Sequence, residues 1–462
     1  MLELLLRQNI DKGLGATLLD PSDEGDTMYK VLKYAIRKGH EKILLIDPHD
    51  VGPFDAVPVL QPLHVVRDKT GKPNLAYAAA IVGGLMDTSR ILWDTKSFAD
   101  TPRIQKFMPA VLTALYAAGM TMAEVRYFLD MWTARNRREH ILSHLSEYDV
   151  HRQHIESAFK TVSTFEHFQS TINRLMPFID PTLELMFGSN DNPIDFKQLI
   201  SQGYLILVNL DPEGMWGVES PEQRLLGTVV INEITYAIHR LRVNGWSGKH
   251  YLYIDEAGDY ATPKLSFILD KKRKSGLRLT LSHQGFDQFK DREVLAAVYR
   301  GTKIKVLFNT ASREDRDKMI RMMYGGDLTD REVSYTLMSL KKQNCVIKNN
   351  KQPPQGVRLQ DIPDVEMSGD ELGEWKENFY KSSPFYRKMA TVRAEINARF
   401  DGRFTTQRPR TGGSPARTRN DSRTTSPAET DGQARPRVKT VFSKTKREAK
   451  KGSVQPDQES AE

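Results

Sequence analysis

Along the first fifty residues, apolar positions fall into two alternating rhythms. MLELLLRQNIDKG has helical spacing and stops at Gly13, a glycine placed to close a helix. ATLLDPSD follows as a short, unbroken apolar run ending in Asp-Pro, which reads as a buried strand. Residues 24–39 are helical again, and EKILLIDPHD repeats the strand that ends in Asp-Pro. Alternation of this kind predicts crossover units and a parallel sheet. Between about 75 and 195 the rhythm changes to Ala-, Leu- and Met-rich stretches at helical spacing, predicting an all-helical insertion that ends near FGSNDNPID. The alternation then resumes. GYLILVNL (203–210), KHYLYIDEAG (249–258), LRLTLSHQ (277–284) and TKIKVLFNT (302–310) read as strands. A helix over 221–242 has Pro221 in its first turn, another over 263–276 ends at Gly276, and a third includes Glu293 to Tyr299. CVIK and GVRL flank the turn-rich KNNKQPP and predict a hairpin within 342–360, followed by a charged helix over much of 368–399.

The expected organisation follows: an α/β, mostly parallel sheet flanked by helices (1–75 and 196–360), interrupted by the helical insertion (76–195). A helical extension (361–400) and a tail (401–462) complete it. The tail is rich in Ser, Thr, Pro, Gly and Arg, a composition that predicts disorder.

Composition changes this picture in three places. A hydrophobic share of 39% over 462 residues supports a real core, and Cys345, the single cysteine, excludes a disulfide framework and a four-cysteine zinc site. No stretch approaches 18 consecutive apolar residues, and MLELLLRQNIDKG lacks the basic segment and apolar length of a signal peptide. The net charge of +8 would point to nucleic acid, but residues 401–462 hold 14 Lys/Arg against 8 Asp/Glu, leaving 53 against 51 elsewhere. The body is near neutral. The tail's arginines suit weak, sequence-independent contact with phosphate backbones or simple solubilisation.

The strongest local chemistry is YLYIDEAG, which places Asp255 and Glu256 together at the carboxyl end of a strand, where open α/β sheets bind ligands. In nucleotide hydrolysis the first acid holds Mg²⁺ through its water shell and the second orients or deprotonates the attacking water. Gln284 ends the next strand, and a neutral amide there can contact a γ-phosphate or the water without competing for protons. Arg273, in KKRKSG, suits either an arginine finger reaching a neighbouring subunit or a basic helix end. Asp20 and Asp47 end two strands at the same sheet edge and suit a nucleotide-facing role or an Asp-Pro turn cap. Arg174 suits a phosphate contact or a surface ion pair, and His140, His144, His151 and His154 a solvated or partner-facing surface rather than a metal site.

The order and spacing of these segments resemble the HerA/FtsK-type P-loop ATPases, specifically type IV secretion coupling proteins of the TraD/TraG kind. The segments that carry the resemblance are GATLLDPSDE, KILLIDPHD, FQSTINRLMPFI, GYLILVNLDPEG, QRLLGTVVINEI, YLYIDEAGDYAT, KKRKSGLRLTLSHQ and RGTKIKVLFNTASREDRDKM. The resemblance implies a RecA-like core with a helical insertion, assembled as a hexameric ring that uses ATP and Mg²⁺ to pump DNA. It implies a cytoplasmic protein that docks with secretion or membrane-complex partners at the inner face of the cell membrane. It also implies Walker B acids at Asp255 and Glu256, a sensor at Gln284 and a finger at Arg273. A HerA-like repair helicase would carry the same core motifs.

One part of the pattern is missing. The Gly-rich phosphate loop ending in GK[ST] occurs nowhere in the 462 residues; Lys72 in KTGKPN and Lys249 in WSGKHY do not fit it. By the resemblance, MLELLLRQNIDKG corresponds to the helix after that loop, so the loop is expected upstream. An internal start, a split gene and a degenerate, non-hydrolysing subunit are all consistent with this.

Overall fold

The computed structural model describes residues 1–22, 25–92, 102–130, 133–161, 172–173, 175–191, 194–211, 220–260, 276–289, 291–309, 312–324, 337–349 and 352–401. Arg174, Arg273, most of the expected helix over 263–276 and the tail beyond Asp401 lie outside these residues.

The strands are β1 (Ala16–Asp20), β2 (Ile43–Ile46), β3 (Val57–Pro58), β4 (Leu205–Asn209), β5 (His250–Ile254), β6 (Leu277–Leu281), β7 (Ile304–Leu307), β8 (Asn344–Asn349), β9 (Gln355–Arg358) and β10 (Tyr386–Arg387). Five of them form one sheet in the order β2-β4-β1-β5-β6, parallel throughout. β1, β2 and β4 are buried along their whole length, as expected of unbroken apolar runs in a sheet covered on both faces.

Alternate strand residues enter two different cores, because successive side chains point to opposite faces. Leu18, Leu45 and Leu207 meet Leu6 and Ile10 of the helix Leu2–Asp11, and Met28, Val31 and Leu32 of the helix Asp26–Arg37. Leu19, Leu44, Ile46 and Val208 face the other way. They share a core with the long helix Pro221–Val243 and with the helices Leu75–Leu92 and Pro102–Ala118. Among the described residues, every element from Leu75 to Gln202 is helical.

Two expectations change. TKIKVLFNT forms a strand, but β7 pairs antiparallel with β8 in a separate three-stranded sheet rather than extending the parallel one. Its burial agrees: Leu307 is the one buried residue of β7 and Ile304 is exposed, whereas β1, β2 and β4 are buried throughout. Leu307 and Val346 then pack against Met319, Ile320 and Met323 of the helix Arg313–Tyr324 in a small third core. The charged helix over 368–399 is two helices, Gly369–Ser382 and Met389–Asp401. The break falls at Ser383, whose ψ of 134° is the extended form that a following proline (Pro384) favours.

The two edges of the parallel sheet differ. At β2, the Tyr386 hydroxyl accepts the Leu45 N–H at 2.9 Å and donates to the Leu45 carbonyl at 2.7 Å, plugging the edge with a side chain. At β6, Gly276 and Ser282 bond to β5, so the intervening Leu279 and Leu281 turn their main-chain groups outward. Among the described residues nothing pairs with those two.

At the amino ends of β1 and β5, His250 is fully buried, and its Nε2 lies 2.8 Å from the Thr17 hydroxyl. No described group bonds its Nδ1, which faces Gly15 so closely that a Cβ there would lie 3.3 Å away. Burial therefore lowers the imidazole pKa from 6.5 to about 3. The sign follows from linkage: the unfolded chain binds this proton below pH 6.5 and the folded one does not, so stability falls as the pH drops from 6.5 toward 3. Going from pH 7 to pH 5 is expected to cost roughly 2 kcal/mol through this group alone. Denaturant titrations at the two pH values should show that difference shrinking in His250→Gln. An unchanged difference would remove His250 as its source.

Candidate functional site

β5 stops where its neighbours take over its backbone. The Asp255 N–H reaches Leu19 O at 3.1 Å, the Ser282 N–H reaches Ile254 O at 3.0 Å, and the Ala257 N–H returns to Ser282 O at 2.8 Å. Between these anchors Glu256 adopts φ +44°, a left-handed conformation that is uncommon and costly for a residue with a side chain. This local strain turns the Glu256 carboxylate sideways across the end of β6.

There the acids and amides converge. Gln284 Nε2 donates to Glu256 Oε1 at 2.6 Å, and Gln288 Nε2 donates to Oε2 at 2.8 Å. Asp255 Oδ1 accepts the Glu256 N–H at 3.0 Å and a short hydrogen bond from the Ser282 hydroxyl. Among the described residues its Oδ2 accepts none, leaving an oxygen free to meet a hydrated cation. Asp255 and Glu256 are half-buried and Gln284 is exposed, so the cluster opens to solvent on one side.

The loop after β6 is fixed from below. His283 packs edge-on against Phe289, its ring centroid 5.0 Å away, and its Nδ1 donates to Gly285 O at 3.1 Å; burial lowers its pKa, so the ring is held neutral. Asp315, from the helix Arg313–Tyr324, accepts the Phe286 N–H at 3.4 Å. A Cβ at Gly285 would sit 2.4 Å from Asp287 Oδ1 and 3.0 Å from Asp315 Oδ2, so a side chain there would have to displace these carboxylates.

Asp255, Glu256 and Gln284 thus form one contiguous cluster, as their positions at adjacent strand tips suggest. Asp20 lies on the neighbouring strand but is saturated locally. It accepts the Ser22 N–H at 3.1 Å, the Ser22 hydroxyl at 2.6 Å and the Met28 N–H at 2.6 Å. Burial raises its carboxyl pKa, with the Asp255 charge adding to the shift. Asp47 is three strand positions from Asp255, roughly 14 Å at normal strand spacing. It belongs to a second polar knot. There it accepts the His49 N–H at 3.1 Å, the Asn209 amide at 3.2 Å and a short bond from the Tyr29 hydroxyl.

That knot reaches the C-terminal extension. Lys376 Nζ lies 2.9 Å and 2.8 Å from the two oxygens of Asp50 and 3.9 Å from Asp47 Oδ2, and it donates to Tyr29 OH at 2.9 Å. Tyr380 donates to Asp50 at 2.5 Å. Burial, with Asp47 alongside, pushes the Asp50 carboxyl up. Burial opposes ionisation of Asp47 as well, but His49, Lys376 and Tyr29 together hold it down.

Ser282 and Gln288 were not singled out by the sequence, although both lie within SHQGFDQ beside Gln284. In the helical region the His140 and His144 rings meet edge-on at 5.2 Å, and His144 Nδ1 donates to His140 O at 3.0 Å. Among the described residues no group of three His, Cys, Asp or Glu side chains could hold a metal ion. No described helix is long and apolar enough to cross a membrane.

The fold is an open, mostly parallel α/β sheet with acids and amides gathered at its carboxyl edge. Among solved structures, the chain is similar to the bacterial conjugative coupling protein TrwBdeltaN70 (14% identity over 79% of this chain and 83% of that one, TM-score 0.48). It is similar as well to VirB4 of Thermoanaerobacter pseudethanolicus (17% identity, 78% and 86%, TM-score 0.48). A third similar structure is TrwB in complex with ADP and Mg²⁺ (12% identity, 77% and 87%, TM-score 0.44). No protein-family profile and no curated protein matches the chain.

Proposed function

We propose that this chain is the hydrolytic part of an ATP-driven DNA translocase of the type IV secretion coupling kind, working in a hexameric ring. One observation carries the proposal: Asp255, Glu256 and Gln284 meet at the carboxyl ends of two adjacent parallel strands, with Glu256 held in a strained turn that aims it across Gln284. In this reading residues 1–75 and 196–360 form the ATPase core, 76–195 an insertion at the ring entrance, 361–400 an extension and 401–462 a basic tail.

Bound ATP with Mg²⁺ would supply the electrophilic γ-phosphorus and the charge that neutralises the phosphates. The residues present suit that load. Asp255 has one oxygen tied to Ser282 and the other free to hold the metal's water shell. Glu256 orients or deprotonates the attacking water, Gln284 touches the γ-phosphate or that water, and Arg273 reaches a neighbouring subunit's nucleotide. Asp20 and Asp47 line the same sheet edge.

A specific observation favours a second reading, a DNA- or partner-binding subunit that keeps the fold without hydrolysis: no GK[ST] loop occurs in the 462 residues. One assay separates the two. The chain joined behind a phosphate loop, at the start of the helix Leu2–Asp11, is expected to hydrolyse ATP several-fold faster with DNA present. A folded fusion that binds DNA but shows no ATP turnover would decide for the second reading.

A further inference from the structure

Gln288 has no part in the reading above, yet its placement is as constrained as that of the acids. Its Oε1 accepts the Gln284 main-chain N–H at 3.0 Å, so its amide nitrogen is the atom left to face Glu256, at 2.8 Å from Oε2. Its backbone is pressed against the turn after Glu256: a Cβ at Gly258 would lie 2.5 Å from Gln288 Cβ and 2.9 Å from its carbonyl oxygen. Gly258 therefore permits the contact that brings Gln288 into range. The two glutamines then divide the carboxylate, one oxygen each.

We propose that Gln288 is a positioning residue for Glu256, holding Oε2 so that Oε1 is the oxygen presented to the attacking water. The inference rests on the functional reading above: were Gln284 to touch the γ-phosphate or the water, it would release Oε1, which it holds at 2.6 Å in this structure. Gln288 contacts neither nucleotide nor water and acts only through Glu256. A base held by a fixed third group is a recurring device where a proton must leave in one direction. Glu256 and Gln288 are both half-buried, which makes their charge-assisted bond stronger than it would be in water.

Two substitutions test it. Gln288→Met keeps the length and volume but donates nothing; Gln288→Glu keeps the shape and faces Glu256 with a like charge. In the full chain with ¹⁵N-labelled glutamine, the Gln288 side-chain signals are assigned by their loss in Gln288→Met. They are expected to shift in Glu256→Gln; signals that stay put overturn the proposal, whether or not ATP is turned over. With the phosphate loop supplied, Gln288→Met is expected to lower kcat on the order of 10²-fold, with KM for ATP within about twofold and an unchanged melting temperature. Gln288→Glu should be slower still. A wild-type kcat in Gln288→Met, beside an inactive Glu256→Gln, overturns the positioning role and leaves the functional reading intact. If Glu256→Gln itself turns over normally, the functional reading fails and the role of Gln288 falls with it.

Discussion

Glu256→Gln, in the chain carrying a phosphate loop, is expected to lower ATP turnover by about 10²–10⁴-fold while nucleotide binding persists. The substitution is nearly isosteric, so the strained turn at φ +44° and the contacts to Gln284 and Gln288 have no steric reason to collapse. What disappears is the negative charge and the proton acceptor. An amide oxygen can still receive a bond from Gln284, but it cannot take a proton from water. Steady-state hydrolysis paired with a nucleotide-binding measurement checks the expectation. A rate within a few-fold of wild type would mean that Glu256 is a turn residue and that the water is activated elsewhere.

The second large effect concerns stability and lies far from that cluster. Lys376→Met is expected to lower the unfolding free energy by about 3–5 kcal/mol, because it leaves Asp50 and Asp47 as buried acids without their cation. Lys376 is only 6% exposed, so water cannot replace it cheaply. The contrast with a double variant is the sharper measurement. Lys376→Met with Asp50→Leu removes the ion pair as a unit and should recover much of the loss, since apolar replacement of a buried pair is often neutral. Equilibrium denaturation of the wild type, both single variants and the double variant closes the cycle. A loss below about 1 kcal/mol in Lys376→Met would show that the knot relaxes or hydrates when opened.

These two sites were unequally visible in the sequence, for a physical reason. The inner strands of the parallel sheet announce themselves as short, mostly apolar runs ending in an acid or a turn, while the edge strand β6, LRLTL, alternates with Arg278 and Thr280. Asp255, Glu256 and Gln284 were legible for the same reason: strand tips of neighbouring parallel strands share an edge. Ser282 and Gln288 were not, because their roles depend on the path of the loop 282–289. That path is set by Asp315 and by close approaches at Gly258 and Gly285. Asp47 and Asp50 read locally as turn residues; their cation arrives from 326 positions further along the chain than Asp50, beyond any local pattern. β7 is legible as a strand from its apolar content, but its antiparallel partner β8 comes from a later segment, so its sheet is not legible locally.

The contrast between the plugged edge at β2 and the open one at β6 makes the parallel sheet a one-ended polymer. Tyr386 occupies the hydrogen-bonding positions that an incoming strand would need beside Leu45, so growth on that side is terminated. Leu279 and Leu281 still offer theirs. Among the described residues, any extended segment that adds to this sheet must therefore add beside β6. Its end would arrive about one strand spacing from Ser282, within reach of the acids and amides. The sheet can lengthen only toward its chemistry.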